Sequence, residues 1–489
     1  MAAPLDVDEM RHLVTKMWVL HQQELLTFNR IHDYVNARIG YPSLPEEADA
    51  EVKAIARLSI KNVLGMVRDS FATNLSVVGY RTATSQENLP AWNNWQRNRM
   101  DARQGEIYRP ALTYGVSYVA ITPGDDGPVF RPRSPRQMMA VYADPQIDQW
   151  PQYSLETWID TTNGRPTRKG NFFDDTFIYP LNLGPILPYQ VDDTTERLQN
   201  LFPISILDEE ADAVAHRAEY CPVVRYINER DADDMIVGEI EPLITLQRAI
   251  NEVNFDRLVV ARFGAFPQKV IAGWSGTKSE VLEASARRVW AFEDPDVKAS
   301  ALPAASVEQY NALLEEMMGH VAMVAQISPS SVTGKMINVS ADALAAAEAQ
   351  QQRKLSNKRD SFGESHEQML QCAAQMSGDK GTAVDNEAEV QWRDTEARSF
   401  AAVVDGVTKL AAAGLPIEKL LPLIPGMTQQ QIVGIEEALA RAKVEAMLAQ
   451  RAADAAAQGP AAGADGSAQP PAEQPGVPGL QPYEPPAVA

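Results

Sequence analysis

Gly334-Lys335 is this chain's nearest approach to a phosphate-binding loop, but it lacks the preceding glycine at the spacing that lets backbone amides wrap an anion. Asp231, Asp233 and Asp234 could gather around a cation, because carboxylates are hard oxygen ligands. Their spacing is not that of a calcium-binding loop. They fall between a strand pattern and a helix pattern, so a solvated turn is the better reading. The six histidines, at 12, 21, 32, 216, 320 and 366, are scattered and have no cysteine pair beside them, which argues against zinc. His320 and His366 fall inside helix patterns and read as surface or satisfied core histidines. GxGxxG, HExxH and GxSxG are all missing. The expectation is a chain with no catalytic residue, no cofactor and no metal site, and therefore not an enzyme.

Composition narrows the class further. A chain of 489 residues can bury a large core and form several domains. Its formal charge is −21 and its pI about 4.8. A protein that grips DNA through phosphates shows a basic surface, and this composition opposes that. It suits either a plain acidic protein or a surface that passes close to nucleic acid without sticking. The most apolar uncharged run, Phe177–Tyr189, is short for a membrane span and carries Pro180, Pro185 and Pro188. No basic residue precedes an apolar core at the N-terminus, so no secretory signal is expected. Cys221 and Cys372 lie too far apart in sequence to define a disulfide framework, which suits a reducing cytoplasm.

The elements follow from periodicity. Leu13, Met17, Leu20, Phe28, Ile31 and Val35 predict a helix over 6–35, and Ile55, Leu58, Val63, Val67 and Phe71 one over 48–75. A third covers 89–114, with Pro110 expected to kink or split it. Strands are predicted at 77–80, 116–121, 129–131, 138–142, 153–160, 172–179 and 222–226, with a hairpin turn at Asn163-Gly164. Residues 191–219 read as a polar loop with one short helix. The pattern is α+β, mostly helical, and not a βαβ series.

Two helices of similar length come next. The first covers 239–263 with the stripe Leu243, Leu246, Ile250, Val253 and Val260. The return helix carries Val307, Tyr310, Leu314, Met317, Val321 and Val324 at alternating spacings of three and four. Leu313 and Met318 lie on its other faces, which predicts neighbours on more than one side. An ordinary helical hairpin is the plainer reading of periodicity alone. The insertion 264–305 is too small for a large core, so its strand at 268–272 is expected to pair elsewhere, another subunit included. Residues 328–339 form a helix-breaking joint. A long helix follows from the N-cap Ser340, with Leu355, Phe362, Met369 and Met376 at every seventh position and Gly378 ending it. A strand at 388–393 and helices at 400–412, 416–421 and 428–449 complete the ordered part. Residues 453–489 are rich in Ala, Pro, Gly and Gln and are expected to be disordered.

Several local stretches, in this order, resemble the portal proteins of tailed double-stranded DNA bacteriophages, of the siphovirus type found in phages of actinobacteria. They are Ile60–Asp69, Trp95–Asp101 followed by Ala111–Val119, Ser134–Gln137, and Phe263–Gln268. The family often has Cys or Trp near the position of Asn62, where this chain departs. The resemblance implies a phage portal fold assembling as a ring of twelve at one capsid vertex. Its parts would be a wing (1–238 and 378–397), stem helices (239–263 and 306–327), a clip (264–305), a tunnel loop (328–339), the long helix (340–377), a crown (398–452) and the tail (453–489). Lys335, Met336 and Ile337 would lie beside the DNA. Lys269, Trp274, Lys278, Arg287, Arg288 and Trp290 would dock partners on the clip. The implied function is a head-to-tail connector through which double-stranded DNA is packaged and ejected. The implied partners are its own copies, a separate ATP-driven terminase, head-completion or connector protein, and the major capsid and scaffold proteins, with no membrane. It would be built in the host cytoplasm and end in the virion. Two other classes compete: an acidic helical scaffold or adaptor without a channel, and a cytoplasmic enzyme with an unrecognised site.

Overall fold

The computed structural model describes residues 4–83, 85, 87–162, 164, 166–186, 212–264, 269–272, 298–301, 306–334, 341–395, 400–421, 424 and 429–457. The chain divides into two units, Met1–Arg398 and Ser399–Ala489. The first begins with α1 (Val7–Val35), α2 (Ala50–Leu58), α3 (Val63–Ala72), β1 (Val77–Thr82), α4 (Trp92–Arg97), α5 (Met100–Arg103) and α6 (Gly105–Tyr114). The strands β2 (Val116–Thr122), β3 (Val129–Arg133), β4 (Met138–Val141), β5 (Tyr153–Asp160), β6 (Thr167–Phe173), β7 (Phe177–Pro185), β8 (Val214–Ala215) and β9 (Val223–Ile227) follow. Then come α7 (Ile244–Gly264), β10 (Lys269–Ala272), β11 (Lys298–Ala301), α8 (Glu308–Ala325), α9 (Pro329–Thr333), α10 (Ala341–Ser377), α11 (Lys380–Ala383) and β12 (Ala388–Trp392). Every strand pair among the described residues is antiparallel, as a pattern without βαβ units requires.

The strands form a sheet in the order β3-β2-β9, a five-stranded sheet running β4 to β8, and the pairs β1-β12 and β10-β11. β2 shows how the layers meet. Alternate residues of a strand point to opposite faces. Val119 and Ile121 enter the main core, whereas Val116, Tyr118 and Ala120 enter a second cluster with Phe173, Ile178 and Val223. A third cluster packs Met10, Val14, Met17 and Trp18 of α1 on Leu155, Phe172 and Leu181 of the larger sheet. The heptad residues Leu355, Phe362 and Met369 of α10 are fully buried in the main core, and Met376 is partly buried. Both cysteines are buried and free.

Several boundaries differ from the periodic reading. Leu20 is 42% exposed, because the buried stripe of α1 runs through Met17, Trp18 and His21 and leaves it on the flank. The helix expected over 48–75 is two. Ser59 closes α2 through its hydroxyl on the Ala56 carbonyl (2.8 Å), and Asn62 opens α3 by accepting from the Gly65 amide (3.2 Å). The helix expected over 89–114 breaks at Asn98–Arg99, with Arg99 at φ 54°, while Pro110 sits inside α6. Asn98 is drawn out by the β3 side, donating to the Pro128 carbonyl (2.9 Å) and accepting from the Phe130 amide (2.8 Å). The single strand expected over 172–179 is the end of β6 and the start of β7, split by a turn at 174–176 in which Asp174 accepts from the amides of Thr176 (2.7 Å) and Phe177. The expected polar loop contains β8, whose Ala215 pairs with Phe177.

The second unit contains α12 (Phe400–Ala412), α13 (Ile417–Leu420) and α14 (Gln429–Ala457). Gly414, at φ 95°, follows α12 in the left-handed region that suits glycine. α14 runs to Ala457, past the point where disorder was expected, because its last turns are alanine-rich and alanine is the strongest helix former.

Candidate functional site

α7 and α8 run antiparallel. Arg257 near the end of α7 donates to the Asn311 side chain near the start of α8 (3.1 Å). At the other end Lys354 of α10 reaches both Glu239, just before α7, and the Ala325 carbonyl that ends α8. A 3-10 turn over Glu241–Leu243 leads into α7, with Pro242 at its start, where a missing N–H costs little. Leu243, Ile244 and Ile250 are buried in the main core, with Leu246 and Val253 packed at its edge. α8 contributes Leu314, Val321, Ala322 and Ala325, with Met317 and Met318 at the edge. Its stripe departs from expectation at Val324, which is 45% exposed. Met323 and Leu313 are 68% and 41% exposed, so α8 leaves three apolar side chains in solvent, on a side they share with the exposed Glu316 and His320.

Three amide side chains root α7. Gln247, Asn251 and Asn254 recur at helical spacing and are buried. Gln247 accepts from the Val63 amide (3.1 Å), Asn251 accepts from the Lys61 amide (3.1 Å) and Asn254 donates to the Ser59 carbonyl. They therefore satisfy the backbone groups freed by the break between α2 and α3. Sequence reasoning missed this set. Its signal was available as three buried-type amides on one face of an apolar helix.

The joint with α10 is ionic. Glu239 receives the ammonium groups of Lys354 and Lys358, and Lys358 also donates to Asn228 (2.6 Å). Both lysines lie over the Phe71 ring, at 5.4 and 5.5 Å from its centroid. Burial alone would raise the Glu239 carboxyl, but Lys358 and then Lys354 outweigh it and hold it below the usual range. Burial pulls the Lys358 ammonium down, and Glu239 only partly restores it. The cluster fixes the start of α7, the end of α8 and the middle of α10 at one point.

His366 on the same helix is a satisfied core histidine. Tyr108 and Tyr226 hydroxyls bracket its ring nitrogens at 2.8 and 3.0 Å, and the Trp95 ring meets it edge-on at 5.2 Å. Burial lowers its pKa to about 3, so the ring is neutral. The acidic trio forms a turn. Asp231 accepts from the amides of Asp233 (3.0 Å) and Met235 (2.9 Å), and Asp234 pairs with Arg230 (3.4 Å). Among the described residues no group of His, Cys, Asp and Glu is arranged to hold a metal.

The joint expected over 328–339 is not all loop. Ser328 is extended, Pro329 starts α9, and Gly334 ends it at φ 68°. Ile327 and Val332 are buried, which anchors this short helix. Lys335, Met336, Ile337 and the expected cap Ser340 lie outside the described residues, as do Trp274, Lys278, Arg287, Arg288 and Trp290. Lys269 opens β10, opposite Ala301 of β11. The strand expected to pair elsewhere thus pairs within its own insertion, because the two ends of the insertion return side by side.

A family model for phage portal proteins, SPP1 Gp6-like, matches residues 70–453. The portal protein of Mycobacterium phage L5 is 25% identical over 370 residues, covering 71% of this chain and 71% of its own. That of Mycobacterium phage D29 is 24% identical over 376 residues, with the same two coverages of 71%. A solved chain from the neck of the native GTA particle, computed with C12 symmetry, aligns at TM-score 0.42 and 11% identity, over 78% of this chain and 95% of its own. The family match runs from the end of α3 through the strands, the α7–α8 pair and α10 into α14, and the chain belongs to the SPP1 Gp6-like family of phage portal proteins.

Proposed function

We propose that copies of this chain form a ring of twelve at one capsid vertex and that double-stranded DNA passes through its centre. Phage portal proteins are structural parts of the virion, and membership of that family supports the reading. In it, residues 1–238 and 378–397 form the wing, 239–263 and 306–327 the stem, 264–305 the clip, 340–377 the long helix and 398–452 the crown. The clip docks the terminase during packaging and the connector afterwards, through Lys269, Trp274, Lys278, Arg287, Arg288 and Trp290. The tunnel loop, 328–339, brings Lys335, Met336 and Ile337 to the DNA. Capsid and scaffold proteins meet the ring during assembly in the host cytoplasm.

The observation that carries the ring is the set of exposed apolar side chains on α8. Leu313, Met323 and Val324 stay exposed while the opposite face of the helix is buried in its own chain. Large apolar side chains left in solvent beside a buried stripe favour a neighbour on that side as well. The formal charge of −21 per chain also suits a conduit, since a net acidic ring makes few lasting phosphate contacts. Negative-stain imaging of the purified chain tests the reading. A ring with a hole of DNA width is expected, and a compact monomer or an elongated dimer would overturn it.

A further inference from the structure

One face of α10 carries Gln350, Arg353, Lys354, Asn357 and Lys358, at the three- and four-residue spacing that stacks side chains on a helix. Opposite it lie Gln326, at the end of α8, and Asn228 and Glu229, just past β9. Together they line a cleft of about 360 Å³. Every side chain of that lining except Glu229 can donate a hydrogen bond, and none is apolar.

Charge in the cleft is unbalanced. Lys354 and Lys358 share the single carboxylate of Glu239 beneath the floor, and Lys358 is only 3% exposed. Arg353 has no ion pair among the described residues, and the amides of Gln326, Gln350 and Asn357 make no hydrogen bond there. Against three cations stand Glu239 and Glu229. A buried cation held by half a carboxylate gains from a second anion, and a guanidinium beside an ammonium matches the oxygens of a tetrahedral oxyanion.

We propose that this cleft binds a phosphate group. Arg353 meets two of its oxygens from the rim, Lys354 a third from the floor, and the amides of Gln326 and Asn357 close the sides. An anion there ties the end of α8 to α10 more firmly than Glu239 does alone. The phosphate is either free in solution or a diester of passing nucleic acid. The site itself does not depend on the ring.

The test titrates the full-length chain with inorganic phosphate at neutral pH and low chloride, by calorimetry. Arg353→Ala removes an exposed side chain and leaves the Glu239 cluster intact. Arg353→Lys keeps the charge, and Arg11→Ala is a remote control on an exposed arginine of α1. Wild type and Arg11→Ala are expected to bind one phosphate per chain, Arg353→Ala to weaken binding at least tenfold, and Arg353→Lys to fall between. A short DNA duplex added to the phosphate-loaded chain distinguishes the two sources: displacement assigns a diester, and its failure assigns free phosphate. Two results would overturn the site: no saturable binding by wild type, or equal titration of wild type and Arg353→Ala.

Discussion

Glu239 is the residue on which α7, α8 and α10 meet, because it answers two ammonium groups at once. Removing one partner of a buried ionic cluster leaves the rest uncompensated, so Glu239→Gln should cost roughly 3–5 kcal/mol. Lys354→Met should cost much less, because Lys358 still meets the carboxylate and a surplus charge is gone. Chemical denaturation of the three proteins checks the order, and equal losses would contradict it. Asn62 works locally. It accepts from the Gly65 amide and donates to the Val35 carbonyl (2.6 Å), so it caps α3 and ties it to the end of α1. Asn62→Ala should lower stability by about 1–2 kcal/mol, read from the same denaturation curves.

At the scale of elements, α8 makes a sharp prediction. Leu313 and Val324 face solvent in the single chain, so Leu313→Asp with Val324→Asp should leave the fold of the monomer unchanged. If that face meets a neighbouring copy, the same pair should abolish ring assembly. Sedimentation velocity beside circular dichroism reads both outcomes, and a ring that still forms would reject the interface. The joint before α10 offers a second test. If residues 335–337 lie beside the DNA as proposed, shortening the stretch after Gly334 together with Lys335→Ala should impair packaging or retention of DNA, measured as the DNA content of assembled particles. α9, with Ile327 and Val332 buried, should be unaffected by that change.

Over the whole molecule, the buried His366 and the partly buried Glu367 set opposing pH trends. The unfolded chain protonates His366 near 6.5, but the folded chain refuses the proton until about 3, so stability falls as pH drops between those values. Glu367 behaves in the other sense. Burial first, then Glu364 and Glu389, raise it to about 7 against an unfolded value of 4.5, although the Val390 amide opposes them. Its contribution is complete below 4.5 and is lost as pH rises through 7. Unfolding midpoints should therefore drop in acid, and Glu367→Gln should raise the midpoint at about pH 8 while changing little near pH 4. Identical midpoints at the alkaline end would show that Glu367 ionises freely in the fold.

The α10 heptad, the apolar stripe of α7 and the strand β2 could be read from sequence, because each pattern lies within one segment and follows from local backbone geometry. The family resemblance rests on short stretches in their order and implies a portal fold without reference to any tertiary contact. The breaks at Ser59–Asn62 and Asn98–Arg99, the pairing of β1 with β12, and the meeting of Glu239 with Lys354 and Lys358 needed the tertiary structure. Asn251 grips Lys61 across 190 residues, and Lys358 reaches Glu239 across 119. A helix breaks where a distant donor or acceptor takes its freed backbone groups, and a buried charge is stable where a distant opposite charge meets it. Neither partner leaves a trace in the local period, so only the assembled core decides where α7 and α8 are rooted and how they are held.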